Sequence, residues 1–136
     1  MDVVSRSVID YALARRATLA GLFAGRVSAV EVCDAHPYLL RAAKYHGQVT
    51  DRPCPVCRRE RLTDVTYVYG DELREASGRA RAVRDLAALS DRHTELNVYV
   101  VEVCRGCSWN HLMTSFVVGT GDSAGASAGR RRAGRE

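Results

Sequence analysis

Two short segments, Cys54-Pro-Val-Cys57 and Cys104-Arg-Gly-Cys107, carry the residues best suited to chemistry in this chain. Two residues between cysteines let a tight turn aim both sulfurs at one ion, and Pro55 and Gly106 suit such turns. Four thiolates make a soft tetrahedral donor set, so the spacing points to structural zinc held by Cys54, Cys57, Cys104 and Cys107. A site with four cysteine ligands leaves no position for water or substrate, which argues against an enzyme. The chain has five cysteines, and an odd number with four in C-x-x-C pairs favours metal in a reducing compartment over disulfide stapling. Cys33 and His36 have C-x-x-H spacing, with His46 and His111 as the only further candidates for a second site. Cys33 reads better as a small buried apolar residue.

The elements that must position these turns follow from pattern. Residues 62–69 and 96–103 read as strands rich in Val, Thr and Tyr, and 109–118 as a third. The order turn, strand, strand, turn, strand is that of an antiparallel zinc ribbon. The 46 residues between Cys57 and Cys104 exceed the usual gap, and a helical insertion over 71–92 accounts for the excess. Within it Arg74, Arg79, Arg81 and Arg84 alternate with Asp71, Glu72, Glu75 and Asp85, the pattern of a solvated helix.

Ahead of the ribbon, residues 3–24 read as a helix with Ser7 as N-cap, Asp10 as its reciprocal partner and Gly25 as its stop. Ser28-Ala-Val-Glu31 has capping-box spacing, and Pro37 opens a third helix that ends at Gly47. The expected fold is therefore α+β. A three-helix, helix-turn-helix-like unit over 1–48 precedes a three-stranded antiparallel zinc ribbon over 49–119. Residues 120–136 are expected to form a disordered basic tail.

Charge and length restrict the function classes. The 136 residues are 46% hydrophobic and 26% charged, a globular balance, and no apolar run reaches the length of a membrane span. Asp2, Arg6 and Asp10 interrupt any signal-peptide core, so a cytoplasmic protein is expected. Half of the +4 net charge comes from the tail, where four arginines face two acids. Four thiolates and a zinc ion bring the rest near neutrality, so nucleic-acid binding needs a local patch.

Two such patches stand out. On the third helix Leu39, Leu40, Ala43 and His46 share one side, while Tyr38, Arg41, Lys44 and Tyr45 share the other. That second face suits a DNA groove, a nucleic-acid backbone or plain solvent. Around the cysteine turns lie Arg52, Arg58, Arg59, Arg61 and Arg105 against Asp51 and Glu60. They suit contact with nucleoprotein, and equally compensation of thiolate charge. Trp109, Asn110 and His111 follow the second turn and read as core or rim.

Taken in order, Val4-Ser-Arg-Ser-Val-Ile-Asp-Tyr-Ala-Leu-Ala-Arg-Arg16, Cys33-Asp-Ala-His-Pro-Tyr-Leu-Leu-Arg-Ala-Ala43, the Cys54 turn and Val98-Tyr-Val-Val-Glu-Val-Cys-Arg-Gly-Cys-Ser-Trp-Asn-His-Leu112 resemble a family of small actinobacterial proteins, a domain of unknown function. The resemblance spans residues 3–119. It implies a cytosolic bacterial protein with a helical N-terminus and a paired C-x-x-C ribbon, and it supplies no catalytic residue. The function expected is a non-enzymatic accessory or regulatory protein docking on RNA polymerase or ribosome components. A direct DNA-binding regulator using the third helix and a zinc-thiolate redox sensor are the alternatives.

Overall fold

The structure, a computed structural model, describes residues 4–121. The expected tail therefore lies outside the described residues, apart from its first two positions.

Six strands form one antiparallel sheet: β1 (Arg6–Asp10), β2 (Gln48–Pro53), β3 (Arg61–Tyr69), β4 (Arg79–Arg81), β5 (Leu96–Val103) and β6 (Asn110–Val118). Their order is β1-β6-β5-β3-β2, with β4 also beside β3. Strands β2 and β4 share one edge of β3, the first along residues up to Asp64 and the second against Thr66, Tyr67 and Val68. The helices are short: α1 (Ala12–Phe23), α2 (Ala29–Val32), α3 (Pro37–His46) and α4 (Leu86–Arg92).

This arrangement overturns the expected three-helix, helix-turn-helix-like unit followed by a three-stranded ribbon. The chain enters the sheet at once, because β1 pairs with β6 through Ile9↔Ser115 and Asp10↔Thr114. Val8 and Ile9 favour strand, and pairing more than 100 residues away outweighs the local capping signal. Ser7 adopts a left-handed φ of 54° where the β1–β6 register shifts, so it caps nothing. Asp10 accepts the Ala12 N–H at 2.8 Å instead, and α1 starts there. The three strands expected of the ribbon form the middle of a larger sheet.

The helical insertion over 71–92 is also corrected. It comprises a 3-10 segment, Asp71–Ala76, then β4, a second 3-10 turn, Val83–Asp85, and the two-turn α4. Gly78 forces the break. Its φ of +85° suits glycine, its N–H reaches the Val68 carbonyl at 2.8 Å, and a Cβ there would lie 3.0 Å from the Tyr69 ring.

Strand alternation sorts the core onto two faces. Val68, Val98, Leu96 and Val118 lie under Leu86 and Leu89 of α4. Further along the same face, Leu62 meets Leu19 of α1, with Trp109, Cys54 and Cys104. On the opposite face Val65 and Val103 lie under Ala43 of α3. The helices thus pack chiefly on the sheet.

Candidate metal centre

The two C-x-x-C segments close one end of the sheet, the first between β2 and β3, the second between β5 and β6. They are built alike. Cys54 donates its N–H to the Glu60 carbonyl (2.8 Å), and its own carbonyl accepts from Arg58 (3.1 Å). Cys104 donates to Trp109 (2.8 Å) and accepts from Ser108 (2.9 Å). In each turn the residue after the second cysteine is left-handed, Arg58 at φ 61° and Ser108 at φ 73°. Side chains rarely adopt such angles, and in both turns the same pair of backbone hydrogen bonds holds them there.

Backbone amides already point at the sulfurs. Val56 and Cys57 donate to Cys54 Sγ at 3.4 and 3.5 Å, Cys107 to Cys104 Sγ at 3.3 Å, and Arg59 to Cys57 Sγ at 3.5 Å. Across the two turns, Cys54 Sγ lies 3.6 Å from Cys107 Sγ and Cys57 Sγ 3.7 Å from Cys104 Sγ. All four sulfurs fall within 4.8 Å of one another. A disulfide needs about 2.05 Å. A tetrahedral metal with bonds of about 2.3 Å places its sulfurs about 3.8 Å apart. The four thiols therefore fit a structural metal ion, and among the described residues they are the one His/Cys/acid group gathered closely enough to hold one.

The thiols need a cation to coexist as thiolates. Burial pushes Cys104 and Cys107 up to about 12, while the Arg59 N–H holds Cys57 down at about 6. A divalent ion stabilises the charged form of every sulfur and removes that conflict.

Beneath the centre lies a buried carboxylate that the sequence reading assigned no role. Glu102 has no exposed surface and accepts from Arg15 Nε (2.6 Å), Trp109 Nε1 (2.8 Å) and Arg52 Nη2 (3.5 Å). Arg52 also pairs with Asp64 at 2.6 Å. Arg52, expected in the surface patch, is thus drawn into this network. The available signals were Glu102 inside an apolar strand and Arg15 inside an apolar helical stripe.

The remaining candidates separate. His36 caps α3, its Nδ1 accepting the Tyr38 N–H at 3.1 Å, and His111 stacks on Trp109 with ring centres 6.0 Å apart. Neither joins Cys33 in a second site. His46, expected on the inner side of α3, is exposed. Cys33 is half-buried, with its Sγ 3.7 Å from Cys107 Sγ. Tyr38, Arg41, Lys44 and Tyr45 are exposed, with Arg41 over the Tyr38 ring at 5.9 Å and Lys44 over the Tyr45 ring at 5.2 Å. Arg105 of the second turn joins them, lining one depression with Leu40, Arg41, Lys44 and Tyr45. Arg59 and Arg105 line a neighbouring depression with Arg61 and Glu60, while Arg58 is exposed in the first turn.

Fold and site together define a small antiparallel-sheet protein closed at one end by a four-cysteine, metal-compatible centre. Residues 3–133 match the family of unknown function DUF5318, and the chain belongs to it. It is 53% identical over 111 residues to the uncharacterized proteins Mb0050 of Mycobacterium bovis and Rv0049 of Mycobacterium tuberculosis, an alignment covering 82% of this chain and 81% of each relative. No solved structure matches. Among the described residues no helix is long and apolar enough to cross a membrane.

Proposed function

We propose that this protein is a non-enzymatic regulatory scaffold, held by structural zinc, that docks on the nucleoprotein machinery of transcription or translation. Zinc is the ion that a closed set of four thiolates suits best, and such a set holds structure without activating water. The docking surface is the exposed face of α3 together with the second cysteine turn.

One observation carries this reading: Arg105 stands beside Arg41, Lys44 and Tyr45 in a single depression, which merges two patches separated by some 60 residues of sequence. Arg41, Lys44, Arg58, Arg59 and Arg105 form no ion pair with a carboxylate among the described residues. Unpaired cations beside aromatic rings suit phosphate backbones and the acidic surfaces of nucleoprotein. A cytoplasmic location is part of the proposal, because free thiols persist in a reducing compartment.

The test is capture of the tagged protein from its own cells, with and without nuclease, beside the triple variant Arg41→Ser, Lys44→Ser, Arg105→Ser. Polymerase or ribosomal subunits retained by the wild type after nuclease, and lost by a variant with unchanged zinc content, would support docking on protein. Loss of the same partners on nuclease treatment would move the reading to direct nucleic-acid binding. Equal capture by the variant would defeat the assigned surface.

A further inference from the structure

We propose that Cys33 is the resolving thiol of a peroxide-responsive metal centre: when Cys107 is oxidised, Cys33 traps it as a disulfide, and the metal is released in a form that reductant can reverse. The inference rests on the metal reading above.

The geometry carries it. Cys33 Sγ lies 3.7 Å from Cys107 Sγ, as close as the sulfurs across the centre lie to one another, and its thiol donates to Cys107. Yet Cys33 is outside the group of four mutually close sulfurs, so it is a neighbour of the centre and not a ligand. Closing to a disulfide requires the two sulfurs to approach by about 1.6 Å. The segment carrying Cys33 allows that. Cys33 terminates the single-turn α2, whose box is local, with Glu31 accepting from the Ser28 N–H at 2.9 Å, and whose Val30 is 82% exposed. Just beyond, the Ala35 N–H binds the Ser108 carbonyl at 3.0 Å and tethers this segment to the residue after Cys107.

Cys107 is also the right target. Cys54 and Cys104 are fully buried, whereas Cys57 and Cys107 are half-buried and reachable by a small oxidant, and of these two it is Cys107 that has the Cys33 thiol beside it. Hydrogen peroxide is that oxidant. The Cys107 thiolate attacks one peroxide oxygen, the O–O bond breaks, and hydroxide leaves, giving a sulfenic acid that no longer serves as a thiolate ligand. Cys33 then attacks the Cys107 sulfur. The S–S bond forms, the S–OH bond breaks, and the departing hydroxide takes the Cys33 proton as water. Two electrons pass from the two sulfurs to peroxide, and loss of the Cys107 thiolate would leave Cys54, Cys57 and Cys104 alone to hold an ion, which would then be released.

The test uses the full zinc-loaded chain, with zinc content measured before oxidant is added. Hydrogen peroxide is then applied, released zinc is read with a chromogenic chelator, free thiols are alkylated, and disulfides are mapped by mass spectrometry without reduction. The expected first product is a Cys33–Cys107 link formed in step with zinc release, and dithiothreitol with added zinc restores the starting metal content. Cys33→Ser should bind zinc equally before oxidation. After it, that variant should show no such link, should carry Cys107 as sulfenic and then sulfinic acid, and should recover less than half of its zinc on reduction. A first link between two ligands, such as Cys54–Cys57, or full recovery by Cys33→Ser, would overturn the proposal while leaving the metal reading intact. A chain that holds no metal before oxidation would overturn both.

Discussion

The two ends of the strands β3, β5 and β6 are held by different physics. At one end Val68, Leu96, Val98 and Val118 lie beneath Leu86 and Leu89, an apolar cluster with no charged member. At the other, Leu62 and Leu19 surround Trp109 and two fully buried cysteines, with the buried Glu102 alongside. The core of the first end is stabilised by apolar burial, at roughly 25 cal/mol per Å². The second buries sulfurs and a carboxylate, groups that cost free energy to remove from water unless each is matched by a cation or a donor. Arg15, Arg52 and the Trp109 N–H match the carboxylate, and the sulfurs are placed so that a metal ion would match them. Stability at the cysteine end is therefore conditional on composition of the surroundings, and stability at the apolar end is not.

Removing the proposed zinc should separate the ends most sharply. Structural zinc contributes on the order of 10–16 kcal/mol to small zinc-folded peptides, and here that effect should concentrate at one end. Chelation, or Cys104→Ser, is expected to move the emission of Trp109, the only tryptophan, to longer wavelength. Amide protection around Leu62 and Cys104 should be lost while that of Val98 and Val118 persists. Uniform loss of protection would show that the two ends form one cooperative unit.

Next in size is the buried carboxylate. Glu102→Ala strands Arg15 and the Trp109 N–H without their acceptor, which costs about 3–5 kcal/mol for a buried pair broken on one side. Glu102→Gln keeps the shape and one acceptor oxygen, so denaturant unfolding should place it between Ala and the wild type. At the apolar end, Leu89→Ala is expected to cost about 2–3 kcal/mol through lost burial and a cavity. Its distinguishing feature is that zinc stoichiometry and Trp109 emission should not change.

Much of the site was legible because it is local. Cysteine spacing depends on the geometry of a single turn, and so do Pro37 at the start of α3 and the Ser28–Glu31 box of α2. Leu96–Val103 stood out because its β-branched and aromatic residues have no competing helical pattern. What escaped was made by distance. Residues 7–10 satisfy a capping pattern, and only pairing with β6 turns them into a strand. The burial of Glu102 depends on Arg15, 87 residues earlier, and the approach of Cys33 to Cys107 spans 74. No window of sequence contains both partners of such contacts. The cysteine end was therefore readable in its ligands and unreadable in what supports them, whereas the apolar end was readable mainly as strands.

The smallest expected effect lies at the fringe of the cysteine end, in the turn that carries Cys33. Glu31 accepts the Ser28 N–H and hydroxyl at 2.9 and 3.1 Å, and the backbone bond, then the hydroxyl bond, holds its carboxyl below the usual 4.5. A lowered folded value means that this contribution is complete above pH 4.5 and is lost as pH falls through the Glu31 value. The Ser28 amide proton should report it directly, shifting upfield in NMR spectra with a midpoint below 4.5. In Glu31→Gln that titration should vanish, and the Cys33–Cys107 link should form more slowly at pH 7 as α2 loosens. No change in either measurement would mean that the tether from Ala35 to Ser108, and not the box, positions Cys33. The apolar end offers an internal reference, because no acid lies among its core residues, and the amides of Val98 and Val118 should stay still over the same pH range.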